Sequence, residues 1–168
     1  MRNICFIDGQ NLNMGTTTAD NDWKIDLFKF RPYLRDKYCI EDAFYFLGFY
    51  DLKYASLYKA LTRAGFQIRF REHDEIMYSM KKGNVDTDVV YEIMWSIAER
   101  DDFDKIILVS GDGDYIKAVR YAIQKNKFGK ILFPSHRNTS SLYRRLSFKH
   151  KDYLDREPVR NIIEKRVY

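Results

Sequence analysis

Val109-Ser110-Gly111-Asp112-Gly113-Asp114-Tyr115 is the stretch around which the chain is organised. The apolar run Lys105-Ile106-Ile107-Leu108-Val109 before it reads as a buried strand. After it, Ile116, Val119 and Ile123 recur near helical spacing and predict a helix from Tyr115 to Lys127. Two carboxylates therefore stand where a strand ends and a helix begins. In an open α/β sheet that edge is where ligands bind. Gly111 and Gly113 permit a tight turn and a close approach of backbone to a ligand. Helix capping accounts for one aspartate of the pair and leaves the second without a role.

Other carboxylates reach the same kind of edge. The apolar strand Ile4-Cys5-Phe6-Ile7 ends at Asp8, and Gly9-Gln10-Asn11-Leu12-Asn13 follows. Taken alone, Asp-Gly with Asn reads as a turn. Further on, Lys81-Lys82-Gly83-Asn84-Val85-Asp86-Thr87-Asp88 leads into an apolar-rich helix from Val89 to Trp95. Asp86 as its N-cap and Asp88 as a first-turn acid are the plain readings there. Three plain readings are needed at once, whereas one convergent acidic site explains all three segments.

Phe6-Ile7-Asp8-Gly9-Gln10-Asn11-Leu12, Lys82-Gly83-Asn84-Val85-Asp86 and Val109 to Tyr115 together resemble the NYN domain. This PIN-like nuclease group includes LabA-like and DUF88 proteins. Order and spacing agree over roughly residues 1 to 155. The resemblance implies an α/β fold, a three-layer α/β/α sandwich with a mostly parallel central sheet. It also implies that Asp8, Asp86, Asp112 and Asp114 are the metal-binding acids and Asn11 their polar partner. Many members carry a further Asp one or two helical turns beyond the Asp86 equivalent. Here that position is Glu92, and Asp88 adds an acid close by, so both are further candidate ligands.

The electrostatics lead the same way. Two carboxylates about 4 Å apart repel by roughly 4 kcal/mol at an effective dielectric near 20. A converging set needs protons or a bound cation, and oxygen-only ligands suit Mg²⁺ or Mn²⁺ rather than zinc. The expected activity is metal-dependent hydrolysis of RNA phosphodiester bonds. Asn11 is expected to orient a ligand or the substrate, and Ser110 to bind water or a phosphate oxygen. Arg69, Arg71, Lys81 and Lys82 bracket the approach to Asp86 and are expected to hold the phosphodiester, as is Arg137. His73 reads as a surface histidine. The expected partner is single-stranded RNA. The alternative is a non-catalytic RNA-binding or regulatory protein on the same fold.

The 168 residues suggest one domain that can bury a sound core. No hydrophobic stretch is long enough to span a membrane. The first strand begins within three residues, which leaves no room for a signal peptide, and Cys5 and Cys39 are the only cysteines. Together these suggest a cytoplasmic protein. The net charge of +5 is uneven: residues 125–168 carry 12 Lys/Arg against 4 Asp/Glu, and the remainder is net acidic. An acidic site beside a basic C-terminal quarter fits a metal centre flanked by a phosphate-binding surface.

Between the motifs, residues 13–24 read as an irregular polar loop. A helix is expected from Lys24 to Tyr38, with Pro32 interrupting its pattern. Phe44 to Phe49 is the second strand, and Tyr50 and Tyr54 beyond it are candidates for stacking on bases. Leu52 to Ala64 is a helix closed by Gly65, and Phe66 to Phe70 a third strand. Lys130 to Pro134 and Lys149 to Leu154 are the last two strands. Thr139 or Ser140 caps a short helix from Leu142 to Leu146, and Arg144 and Arg145 are exposed. Asp155 is expected to cap a terminal helix at about 156–167, docked by Ile162 and Ile163. Oligomer contact is one role open to that helix.

Two other chemistries fit less well. A HAD-type phosphatase needs a second Asp two residues after its nucleophile, where this chain has Gln10. A dinucleotide-binding module needs a glycine-rich turn after its first strand. Asp8-Gly9-Gln10-Asn11 offers one glycine and a negative charge instead.

Overall fold

Strand β1 (Asn3–Asp8) is buried along its whole length and forms the centre of the molecule. The structure, a computed structural model, describes residues 1–18, 21–71 and 85–165. The elements after β1 are α1 (Gly9–Thr16), β2 (Thr17–Thr18), β3 (Asn21–Asp22), α2 (Leu27–Tyr38) and β4 (Ile40–Leu47). There follow α3 (Ala55–Ala64), β5 (Gln67–Phe70), α4 (Asp86–Glu99), β6 (Ile106–Val109) and α5 (Ile116–Gln124). The chain closes with β7 (Phe128–Phe133), β8 (Lys151–Tyr153) and α6 (Glu157–Ile163).

Six strands form one sheet in the order β5-β4-β1-β6-β7-β8, and every pairing in it is parallel. The short β2-β3 ribbon is a separate antiparallel pair. Parallel strands are buried on both faces, which is why they read as continuous apolar runs. Alternate residues serve two cores. Phe6, Phe44, Leu108 and Phe133 pack with Val89, Ile93 and Val119 of α4 and α5. Cys5, Ile7, Tyr45 and Val109 pack on the other face with Phe30 and Leu34 of α2, Leu61 of α3 and Ile163 of α6. The result is the α/β/α sandwich that the strand pattern implies.

The chain runs outward from β1 through β4 to β5 on one side, and through β6 to β8 on the other. The reversal leaves a crevice beyond the C-terminal ends of β1 and β6. Asp8 stands at one rim and Asp112 at the other.

Several boundaries differ from the sequence reading. The expected loop at 13–24 begins inside a helix, because the Asp8 side chain caps α1 and Leu12 and Gly15 are buried. A Cβ on Gly15 would come within 2.5 Å of Pro134, so this helix sits against the end of β7. Helix α2 starts at Leu27 and continues through Pro32. Asp155 does not cap α6. Its carboxylate instead accepts the backbone N–H of His136 at 2.8 Å and lies 2.6 Å from the imidazole Nδ1. Helix α6 stops at Ile163, which is buried, whereas Ile162 is half exposed. Glu164 then forms an antiparallel bridge with Ile25. Among the described residues, no helix is long and apolar enough to cross a membrane.

Candidate metal centre

Asp8 is the last residue of β1 and the N-cap of α1, and its carboxylate is almost fully buried. Its Oδ1 accepts the Asn11 backbone N–H at 2.9 Å, as an N-cap does. Its Oδ2 accepts the Tyr115 hydroxyl at 2.8 Å. Burial raises the Asp8 pKa; those two hydrogen bonds oppose the rise, and the nearby charges of Asp86 and Asp112 add to it. Gly9 is required at the helix start, since a Cβ there would lie 2.7 Å from the Phe46 carbonyl oxygen.

Beyond β6 the chain turns sharply. Ser110 is fully buried, and its Oγ accepts the Asp112 N–H at 3.1 Å. Asp112 in turn caps the 3-10 turn Gly113–Tyr115, with Oδ1 accepting the Asp114 N–H at 3.0 Å. Asn11 Oδ1 accepts the Gly111 N–H at 2.7 Å and so ties the β1 end to the β6 end. The buried Tyr143 donates its hydroxyl hydrogen to the Asp112 carbonyl oxygen. The turn is thus held by Ser110, Asn11 and Tyr143, with Asp112 half-buried and Asp114 exposed.

Asp86 enters from a third direction as the first residue of α4. Val85 occupies the N-cap position, with no side-chain capping bond, so Asp86 is not the cap that its sequence context suggests. One carboxylate oxygen from each of Asp86, Asp112 and Asp114 lies within 4.8 Å of the others. Tyr115 joins Asp8 to this group, because its hydroxyl also stands 2.8 Å from Asp86 Oδ1. Sequence reasoning gave Tyr115 no role. Its position directly after the acidic motif was the available signal, but a tyrosine at the start of a helix reads first as core.

A phenol has one hydrogen to donate. Tyr115 cannot satisfy Asp8 and Asp86 together when both are ionised. Burial, followed by the two neighbouring carboxylates, raises the Tyr115 pKa well above the ordinary phenol range, so the hydroxyl stays neutral. A proton or a cation bound within the cluster would offset the repulsion between these carboxylates.

The remaining candidates fall elsewhere. Asp88 lies about 200° around the helix from Asp86 at 3.6 residues per turn, and Glu92 falls near the same face as Asp88. Neither joins the group of three. Arg69 lies over the Phe44 ring at 4.8 Å. Arg71 donates its backbone N–H to the Leu47 and Gly48 carbonyls. Arg137 is exposed in the turn after β7, where its N–H bonds Ser135 Oγ. Ser110, engaged beneath the turn, has no face toward a substrate. Asn11 braces the turn through its Oδ1 and also lines the cleft above it. Lys81, Lys82 and His73 lie outside the described residues. Tyr50 and Tyr54 are each about half exposed, and Tyr50 packs with Tyr58 and Phe70.

An open cleft of about 450 Å³ lies over the turn. It is lined by Asn11, residues 111–114, Asn138 to Ser140 and Leu142. The lining holds two carboxylates and no Lys or Arg among the described residues, so a ligand with charged oxygens needs a cation between it and the protein.

The family model of the NYN domain matches residues 3–148. The chain belongs to the NYN domain family. Its relatives include the low amplitude and bright protein LabA of Synechococcus elongatus, 25% identical over 169 residues. That match covers 95% of this chain and 86% of the relative. A protein of unknown function from Vibrio parahaemolyticus has the same fold, with a TM-score of 0.73 at 20% identity. The superposition covers 98% of this chain and 96% of the other. Membership places this NYN domain in a PIN-like nuclease group.

The donor set of this NYN domain fits a divalent cation. All three carboxylates offer hard oxygen ligands, and no histidine or cysteine joins the group among the described residues. Unit charges at such spacing repel by about 3–4 kcal/mol per pair at an effective dielectric near 20. A divalent ion removes that repulsion and the demand for an extra proton.

Proposed function

We propose that this NYN domain is a metal-dependent ribonuclease, hydrolysing RNA phosphodiester bonds with Mg²⁺ or Mn²⁺ bound by Asp86, Asp112 and Asp114. The observation that carries the reading is the convergence of these carboxylates from α4 and the β6 turn beside an open cleft. Asp8 completes the acidic set through Tyr115.

When bound, the ion supplies a nucleophilic water at neutral pH and offsets charge developing on the phosphate. The protein's part is orientation. Asp112 and Asp114 sit on a turn locked by Ser110, Asn11 and Tyr143. Their positions are therefore set before substrate arrives, which removes reorganisation from the reaction. Tyr115 keeps its proton and acts as a donor between Asp8 and Asp86, not as a base. The basic C-terminal quarter supports the choice of a polyanionic substrate.

The test is incubation of end-labelled single-stranded RNA with purified protein and Mn²⁺, Mg²⁺ or EDTA. Cleavage with either ion and none with EDTA is the expected result. Cleavage that persists in EDTA, or RNA binding with no cleavage under any condition, would overturn the enzymatic reading.

A further inference from the structure

A second groove, of about 300 Å³, lies between α5 and the chain segment that precedes β8. Its floor is apolar, formed by Ile116, Ile123 and Leu146, and Arg120, Arg145 and Lys149 stand around it. All three cations are exposed, and none makes an ion pair among the described residues. Among the described residues, no acidic side chain lines the groove. The groove thus joins an apolar floor to three cations on its rim.

The trough is continuous with the acidic cleft. Leu142 lines both, and it stands so close to Gly113 that a Cβ there would meet its Cδ1 at 3.0 Å. Leu142 is half exposed, although a side chain of its type is usually buried. It is therefore the saddle between the carboxylates and the cations.

We propose that this groove is the track for the nucleotides flanking the cut site of a single-stranded RNA. The proposal rests on the ribonuclease reading and adds the path that the strand takes away from the site. An apolar floor with a cationic rim matches a chain that alternates flat bases with phosphates. Apolar contact with the floor favours unpaired bases, whose faces are free, and cations take the phosphates. A duplex hides its base faces and leaves the floor without a partner. A second copy of this chain is a poor occupant, because it would bring its own cations to the same patch.

The experiment uses Asp112→Asn protein, so that RNA is bound without being cut. Anisotropy of labelled single-stranded oligonucleotides of 3 to 12 nucleotides is measured over a range of salt. The parent is compared with Arg120→Ala/Arg145→Ala and with a control, Lys59→Ala/Arg63→Ala, on the opposite layer. The groove variant should lose at least tenfold in affinity for the longer strands. Its log K against log salt slope should flatten by about 1.4, or about 0.7 for each phosphate contact removed. Abasic sites at the flanking positions should weaken parental binding at least fivefold and the groove variant less. Equal affinities for parent and groove variant, an equal loss in the control, or tighter binding of duplex would overturn the groove assignment. Concentration-dependent dimerisation lost in the groove variant would also overturn it, in favour of a second copy. Wild-type cleavage alongside any of these results would leave the ribonuclease reading standing. RNA binding by none of the proteins would overturn both.

Discussion

Asp8 and Tyr115, separated by 107 residues in sequence, are joined by a 2.8 Å hydrogen bond. That contact couples the end of the first strand to the start of α5, and the same hydroxyl reaches Asp86. Removing it with Tyr115→Phe keeps the ring and takes the phenol hydrogen bond from Asp8 and Asp86. The folded state should lose about 1–3 kcal/mol without metal, read from urea unfolding. Saturating Mn²⁺ should recover part of that loss, because the cation compensates the exposed charge.

The pH dependence has a defined sign. Burial raises the Asp8 pKa above its unfolded value, which is about 3.9. A raised carboxyl pKa gives stability that is full below the unfolded value and is lost as pH rises through the folded one. Metal-free protein should therefore lose melting temperature across that window, and Asp8→Asn should lose less. Mn²⁺ should stabilise the wild type more above the window than below it, since a cation at Asp86, Asp112 and Asp114 favours the ionised form of the neighbouring Asp8. Melting curves at several pH values, with and without Mn²⁺, read all of this directly.

Asn11 holds the Gly111 N–H at 2.7 Å. Asn11→Leu is close in size and offers no acceptor. It should cost about 1–3 kcal/mol, the desolvation penalty of the abandoned N–H. It should also lower the cleavage rate at saturating metal, since the turn that carries Asp112 is released. An unchanged rate would mean that the turn keeps its shape without this tie.

Gly111 faces backbone, not side chain. A Cβ there would lie 2.7 Å from the Asn138 carbonyl oxygen. Gly111→Ala should destabilise by about 1–3 kcal/mol and weaken Mn²⁺ binding in the same protein. Calorimetric titration of the ion checks the second effect.

Much of this arrangement was legible in sequence because it depends on strand ends. Apolar runs located β1 and β6, and the acids directly after them had to reach one edge of a parallel sheet. What was not legible depends on tertiary contacts. Gly9, Gln10 and Asn11 are weak helix formers, yet the Asp8 cap and the seating of Gly15 on Pro134 make α1. Asp88 and Asp86 are two residues apart, and helical phase rather than proximity in sequence separates them. Ser110 reads as a polar group at a site, and its complete burial turns it into a brace. Asp155 has the sequence context of a helix cap, but the His136 N–H and ring compete successfully for it.

The central claim is tested most directly by single-turnover cleavage of end-labelled single-stranded RNA across a Mn²⁺ titration, comparing wild type with Asp112→Asn. Both proteins are first shown to be folded by their melting curves. The account predicts saturable, Mn²⁺-dependent cleavage by the wild type and a loss of at least a hundredfold in the variant. Equal cleavage by the two proteins, or none by the folded wild type at any Mn²⁺ concentration, would contradict it.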